Sequence, residues 1–187
     1  MDVFAHALWT IFAGSRANKK LKEKINLVWL AAFGIMPDVL SFAPLFVLIV
    51  FQFFTGNFHP MDFHHPSDLE PAQPDTLPIL GLTNLLYSFF HSAVIFAVVF
   101  FIIYLITKRW QPVMLGWLLH ILIDIPTHSY QFYPTPVFWP LSHWEFNGLS
   151  WATPWFMILN YSALIIVWGA VLWKRRKVKA ERNKAVA

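Results

Sequence analysis

Five ionisable side chains interrupt stretches that are otherwise built of Leu, Ile, Val, Phe and Trp: Asp38, His91, His120, Asp124 and His128. A charge at the centre of a membrane helix costs several kcal/mol, so such residues face a protein interior and mark a function. Imidazoles with carboxylates are the ligand set of a divalent metal of zinc type. The strongest local pattern is His120-Ile-Leu-Ile-Asp124-Ile-Pro-Thr-His128. Residues four apart share a helical face, which puts His120 and Asp124 side by side with the spacing of two ligands to one ion. His128 continues that face if the helix survives Pro126, and otherwise lies just beyond its last turn.

The other candidates leave alternatives open. Asp38 follows Pro37, and Pro37 with Pro44 predicts a break in its span; broken spans line sites, but an Asp there also caps a helix that restarts. His91, in Phe89-Phe90-His91-Ser92, reads either as a ligand or as a neutral imidazole bonded between helices. At about 1.5 Å per residue, Asp38 and His120 each lie about 15 Å into their runs and His91 about 22 Å into its own, so the three can meet near mid-membrane. His6 reads by pattern as an interfacial histidine. His59, His64 and His65 sit in an acidic loop, as a metal site or as solvated residues. His143 and Glu145 either border the mouth of the site or belong to loop polarity.

The elements that must position these residues follow from composition. The chain has 187 residues, of which 57% are hydrophobic and 13% charged, against about 25% charged in soluble domains. Mean hydropathy is +0.52. An all-α polytopic membrane bundle is expected, with about four spans at Val28–Phe54, Ile79–Ile106, Trp110–Ile125 and Trp151–Trp173; the third is short against the roughly 17–25 residues a span needs. Residues 1–173 form one membrane domain and 174–187 a basic tail. Val3–Ala13 is too short to span and predicts an interfacial or re-entrant helix. Its charges, Asp2 before and Arg16 after, run opposite to a cleaved signal peptide. With no cysteine, thiolate sites are excluded.

All fourteen Lys and Arg residues fall between Arg16 and Lys24, at Lys108–Arg109, or between Lys174 and Lys184. Thr55–Pro78 is a Pro-rich acidic connection and Tyr130–Trp155 an aromatic one, and neither carries a basic residue. The positive-inside rule then places both basic ends and Lys108–Arg109 in the cytoplasm. The net charge of +4 is explained by anionic lipid headgroups at the inner membrane and calls for no nucleic acid.

The order of the short pieces Asp2-Val-Phe-Ala-His6, Pro37-Asp38, His91-Ser92, Gly116-Trp-Leu-Leu-His120-Ile-Leu-Ile-Asp124-Ile-Pro-Thr127 and Phe138-Trp139-Pro140 resembles the YdjM-like inner-membrane metal-dependent hydrolases. That family is distantly similar to zinc-dependent phospholipase C and related nucleases. The resemblance implies His6, Asp38, His91, His120 and Asp124 as metal ligands, with His128 a further candidate, and a phosphoester substrate, lipids included. The chain departs from the pattern at two places. Tyr87 stands where family members often carry another His, and Asn147 follows His143 where a His-x-x-x-Glu pair would end. These departures favour one or two ions, zinc first, over three.

The function expected is a membrane-bound hydrolase acting on a phosphoester through metal-activated water, with Asp38 or Asp124 as ligand or general base. One alternative is an intramembrane ion, proton or metal transport or relay protein. Another is a non-catalytic member whose polar groups only bond helices together.

Overall fold

A computed structural model describes residues 1–57, 78–130 and 133–184. Most of the acidic connection, with His59, His64, His65, Asp62, Asp68, Glu70 and Asp75, lies outside the described residues, as do Phe132 and the last three residues of the tail. Six α-helices appear among the described residues, and no strand: α1 Val3–Ala17, α2 Leu27–Thr55, α3 Pro78–Phe90, α4 Ala93–Thr107, α5 Leu115–Thr127 and α6 Pro154–Lys184. The chain divides into two compact units, Met1–Trp151 and Ala152–Ala187. The second is α6, whose apolar stretch runs to Trp173 and is followed by exposed basic residues up to Lys184.

Each helix of the first unit starts and stops for a local reason. Asp2 caps α1 by accepting the Ala5 N–H at 3.0 Å. Asn18 closes the basic connection to α2 from both sides: its Nδ2 donates to the Ile25 carbonyl at 2.8 Å and its Oδ1 accepts the Ile25 N–H at 2.8 Å. Asn26 then accepts the Val28 and Trp29 N–H groups and starts α2. That helix runs unbroken for 29 residues to Gly56, a left-handed cap at φ 71°.

The break expected at Pro37 and Pro44 therefore does not occur, and Asp38 caps nothing. Each proline removes one N–H from a long hydrogen-bonded ladder. The Ser41 hydroxyl additionally donates to the Pro37 carbonyl at 2.6 Å.

The break falls in the second apolar run, which sequence reads as one continuous span. It divides at His91–Ser92 into α3 and α4, bent by 63°. His91 closes α3 twice over, its backbone N–H reaching the Tyr87 carbonyl at 2.9 Å and its Nδ1 at 3.0 Å. Ser92 opens α4 by accepting the Ile95 N–H at 3.2 Å. Loop atoms complete the junction: the Ala93 N–H donates to Val137 O at 2.9 Å and the Ser92 hydroxyl to Trp139 O at 2.5 Å.

The third run forms a short 3-10 turn, Pro112–Met114, followed by α5. At 13 residues, α5 is too short to cross a bilayer. Among the described residues two helices, α2 and α6, are long and apolar enough to span, and three spans result if the bent α3–α4 pair counts as one. The expected four is thus too many. Pro126 does not end α5 early. The helix reaches Thr127, and the His128 N–H still bonds Asp124 O at 3.0 Å.

Three helices meet with almost no side chain between them. A Cβ on Gly116 of α5 would lie 2.0 Å from the Leu30 carbonyl of α2, and one on Gly34 would lie 2.6 Å from Thr10 Oγ1 of α1. Small residues of this kind let membrane helices approach backbone to backbone. The apolar core beside this seam is Phe96, Met114, Trp117 and Ile121, and Trp117 Nε1 donates to the Phe90 carbonyl at 2.6 Å. Beyond α5, the stretch from Gly148 to Trp151 satisfies its last carbonyls. The Gly148, Leu149 and Trp151 N–H groups reach His128 O, Pro126 O and Thr127 O at 2.8, 2.9 and 2.9 Å.

Gly116→Ala is expected to cost about 1–3 kcal/mol or more through overpacking against fixed backbone, read as a lower midpoint of thermal unfolding in detergent. Gly169→Ala in α6, where an added Cβ meets nothing within 4 Å, should stay within about 0.5 kcal/mol of wild type.

Candidate metal centre

All six residues singled out from the sequence converge at one place. His6, His91, His120 and Asp124 are fully buried, His128 is 3% exposed and Asp38 9%. Gly116 lets α5 lie directly on α2, and that contact brings His120 Nδ1 to 2.8 Å from the Gly34 carbonyl. The 63° bend turns His91 inward at the end of α3. Thr10 and Gly14 seat α1 on α2, and His6 then stacks on His120 at 3.8 Å between ring centroids.

Three of the imidazoles are oriented in the same manner. Nδ1 of His91, His120 and His128 lies 3.0, 2.8 and 2.6 Å from the carbonyls of Tyr87, Gly34 and Tyr133. A carbonyl only accepts, so each Nδ1 carries the proton and each Nε2 of the neutral ring presents a lone pair. The Nε2 atoms of His91 and His120 face each other at 3.0 Å. Two lone pairs at that separation are reconciled by a proton on one ring or by a metal ion between them. Anchoring of the distal ring N–H by a backbone carbonyl is also how metal-ligating histidines are held.

The carboxylates complete two halves of one cluster. On one side, Asp124 Oδ2 lies 3.0 Å from His120 Nε2 and 3.5 Å from His91 Nε2, while Asp38 Oδ1 lies 3.4 Å from His91 Nε2 and 3.6 Å from His120 Nε2. These four ligand atoms all fall within 4.8 Å of one another. Bonds of about 2.0–2.1 Å to a tetrahedral ion imply ligand–ligand edges of about 3.3–3.4 Å, and five of the six edges here measure 3.0–3.6 Å. Asp124 Oδ2 is buried, and its near neighbours are these two imidazole nitrogens. The four residues therefore fit a metal ion.

On the other side, Asp124 Oδ1 lies 2.9 Å from His6 Nε2, 3.3 Å from His128 Nε2 and 2.5 Å from the Met1 nitrogen, which is itself 2.9 Å from His128 Nε2. Burial lowers the pKa of His6 to about 4, against the opposing pull of Asp124. His6 is thus neutral near pH 7, the state in which imidazole ligates.

Some contributors carry no clear sequence signal. The Tyr87 ring stacks on His91 at 3.8 Å, and its hydroxyl donates to the Tyr133 carbonyl at 2.8 Å while lying 3.0 Å from His128 Nδ1. Sequence marks Tyr87 only as a missing histidine, and nothing marks the Tyr133 or Gly34 carbonyls. His143 is exposed on its loop and Glu145 partly buried. Neither joins the cluster or lines the cavity beside it.

One comparison with known proteins finds a match. The family model described as YdjM inner membrane protein matches residues 1–186. Comparison with curated proteins gives no significant match, and neither does comparison with solved structures. The family match covers essentially the whole chain, from the helix that carries His6 to the basic tail, and the chain belongs to the YdjM inner membrane protein family.

Proposed function

We propose that the protein is a membrane-embedded, metal-dependent hydrolase of phosphoesters. The observation that carries this reading is the near-tetrahedral set of Asp38 Oδ1, His91 Nε2, His120 Nε2 and Asp124 Oδ2, whose imidazoles are already fixed in the ligating tautomer. Nitrogen and oxygen ligands without thiolate at these separations suit zinc best. A second ion held by His6, His128 and Asp124 Oδ1, with Asp124 shared between the two, would take the place of the Met1 nitrogen that lies against Asp124 Oδ1 and His128 Nε2.

A divalent ion, if held there, would supply a water of lowered pKa and polarisation of a phosphoryl oxygen. The protein's own groups have separable roles around it. Asp124, fully buried and approached from both sides, is a ligand. Asp38 is the one carboxylate of the set with residual exposure, and it lines the adjoining cavity. It is therefore placed, in addition to ligation, to take a proton from water as the new P–O bond forms and the ester P–O bond breaks, and to return that proton to the departing alkoxide. With the Nδ1 protons of His91, His120 and His128 directed at carbonyls, Nε2 is the ring nitrogen left for ligation. Surrounding apolar side chains keep bulk water out and strengthen each electrostatic contact.

The YdjM family assigns the chain to the inner membrane. We further place Arg16–Lys24, Lys108–Arg109 and the tail from Lys174 on the cytoplasmic side, against anionic lipid.

Metal analysis of purified wild type is expected to find about one or two ions per chain, with His120→Ala and Asp124→Ala reduced to background. Wild type should hydrolyse a member of a phosphoester panel that both variants leave intact. A metal-free wild type whose variants keep full activity and stability would contradict the reading. Tyr87→Phe keeps the ring stack on His91 and removes only the hydroxyl beside His128. Loss of such an outer-shell partner is expected to weaken metal affinity about 10–100-fold, measured by chelator competition.

A further inference from the structure

A cavity of about 480 Å³ adjoins the cluster; Asp2, Asp38 and His128 are its ionisable lining residues, and its exposed wall surface is almost wholly apolar. One wall is a single face of α2, formed by Val39, Phe42, Phe46 and Val47. From Asp38 to Val47 this face runs about 13 Å along the helix axis. Phe46 and Val47 are 62% and 68% exposed, so the far end opens on the outside of a helix apolar enough to span a bilayer. The cavity therefore joins two environments, hydrocarbon at its open end and a carboxylate–imidazole cluster at its closed end.

We propose that this cavity is the binding site for one hydrocarbon chain of a membrane lipid, entered sideways from the bilayer, with the lipid's phosphoester headgroup reaching Asp38. The proposal deepens the hydrolase reading, since the headgroup end rests on it; the chain end rests on the shape and lining of the cavity alone. A small water-soluble phosphoester would leave these apolar walls unfilled, whereas an amphiphile matches both ends. Lipid tails are as apolar as the wall itself. A chain thus passes from bilayer to cavity at little cost, and selection among lipids falls to the headgroup at the cluster. Ala43, which also lines the cavity, is the smallest side chain on the α2 wall. A large residue there closes the passage between the open end and Asp38.

The test uses the full chain reconstituted in phosphatidylcholine vesicles doped with a phosphatidylcholine that carries a photoactivatable diazirine in its acyl chain, with labelled residues mapped by mass spectrometry. Cavity residues Phe42 and Trp151 are expected to be labelled in wild type. Their labelling should fall at least tenfold in Ala43→Trp, while exposed Val98 and Phe101 on α4 are labelled equally in both. Val47→Phe, at the exposed end where folding is less at risk, should lower the same two labels in the same sense. Background labelling of Phe42 and Trp151 in wild type, or equal labelling in wild type and both variants, overturns the proposal. Labelling requires neither metal nor turnover, so a protein found metal-free or inactive would refute the hydrolase reading and leave this result to stand or fall by itself.

Discussion

Three backbone carbonyls decide what the buried histidines can do. Those of Gly34, Tyr87 and Tyr133 each take the Nδ1 proton of one imidazole, and the corresponding Nε2 atoms are thereby turned toward the two carboxylates. Without these bonds the same residues would form a hydrogen-bonded knot, each ring donating to Asp38 or Asp124. With them, the Nε2 atoms of His91 and His120 meet at 3.0 Å, so that two facing lone pairs need a proton on one ring or a metal ion between them. A buried carboxylate pair is costly unless compensated. The Met1 ammonium offsets one charge at Asp124 Oδ1, which leaves the shell one negative charge in excess if the rings are neutral. A cation resolves the lone-pair conflict and the charge imbalance together.

The fold can be understood as the means of placing those carbonyls. Gly116 brings α5 onto α2 so that His120 reaches Gly34 O. The interruption of the second apolar run at His91–Ser92 lets one residue end a helix with its backbone and its ring on the same Tyr87 carbonyl. Pairing of Gly148, Leu149 and Trp151 with the carbonyls at the end of α5 holds the last turn, which carries Asp124 and leads to His128. The 13-residue α5 makes sense in these terms. It need not cross a bilayer to bring His120 and Asp124 against α1 and α2.

Much of the site is legible in the sequence, for identifiable reasons. His120 and Asp124 share a face by helical periodicity alone, and Asp38 and His91 are conspicuous because apolar runs leave no solvent to explain them. His6 is not legible from its surroundings. Its place follows from the way Thr10 and Gly34 seat α1 on α2, a tertiary contact that no local pattern encodes. Helix breaks read poorly for a physical reason. Proline at 37 and 44 removes single hydrogen bonds that a 29-residue helix tolerates, whereas His91–Ser92 divides a helix by side-chain capping inside a run that looks uniformly apolar. The uniform apolarity of such runs also inflates the count of spans. The Tyr133 carbonyl has no sequence signal, because a backbone acceptor is the same at every residue.

X-ray absorption at the zinc edge of the zinc-loaded protein tests the central claim most directly, because it reads the ligands themselves. The account predicts a low-coordinate shell of nitrogen and oxygen at about 2.0–2.1 Å with the outer-shell scattering of several imidazoles, weakened in His120→Ala. A shell of oxygen alone, without imidazole scattering, or a spectrum unchanged in that variant, would contradict it.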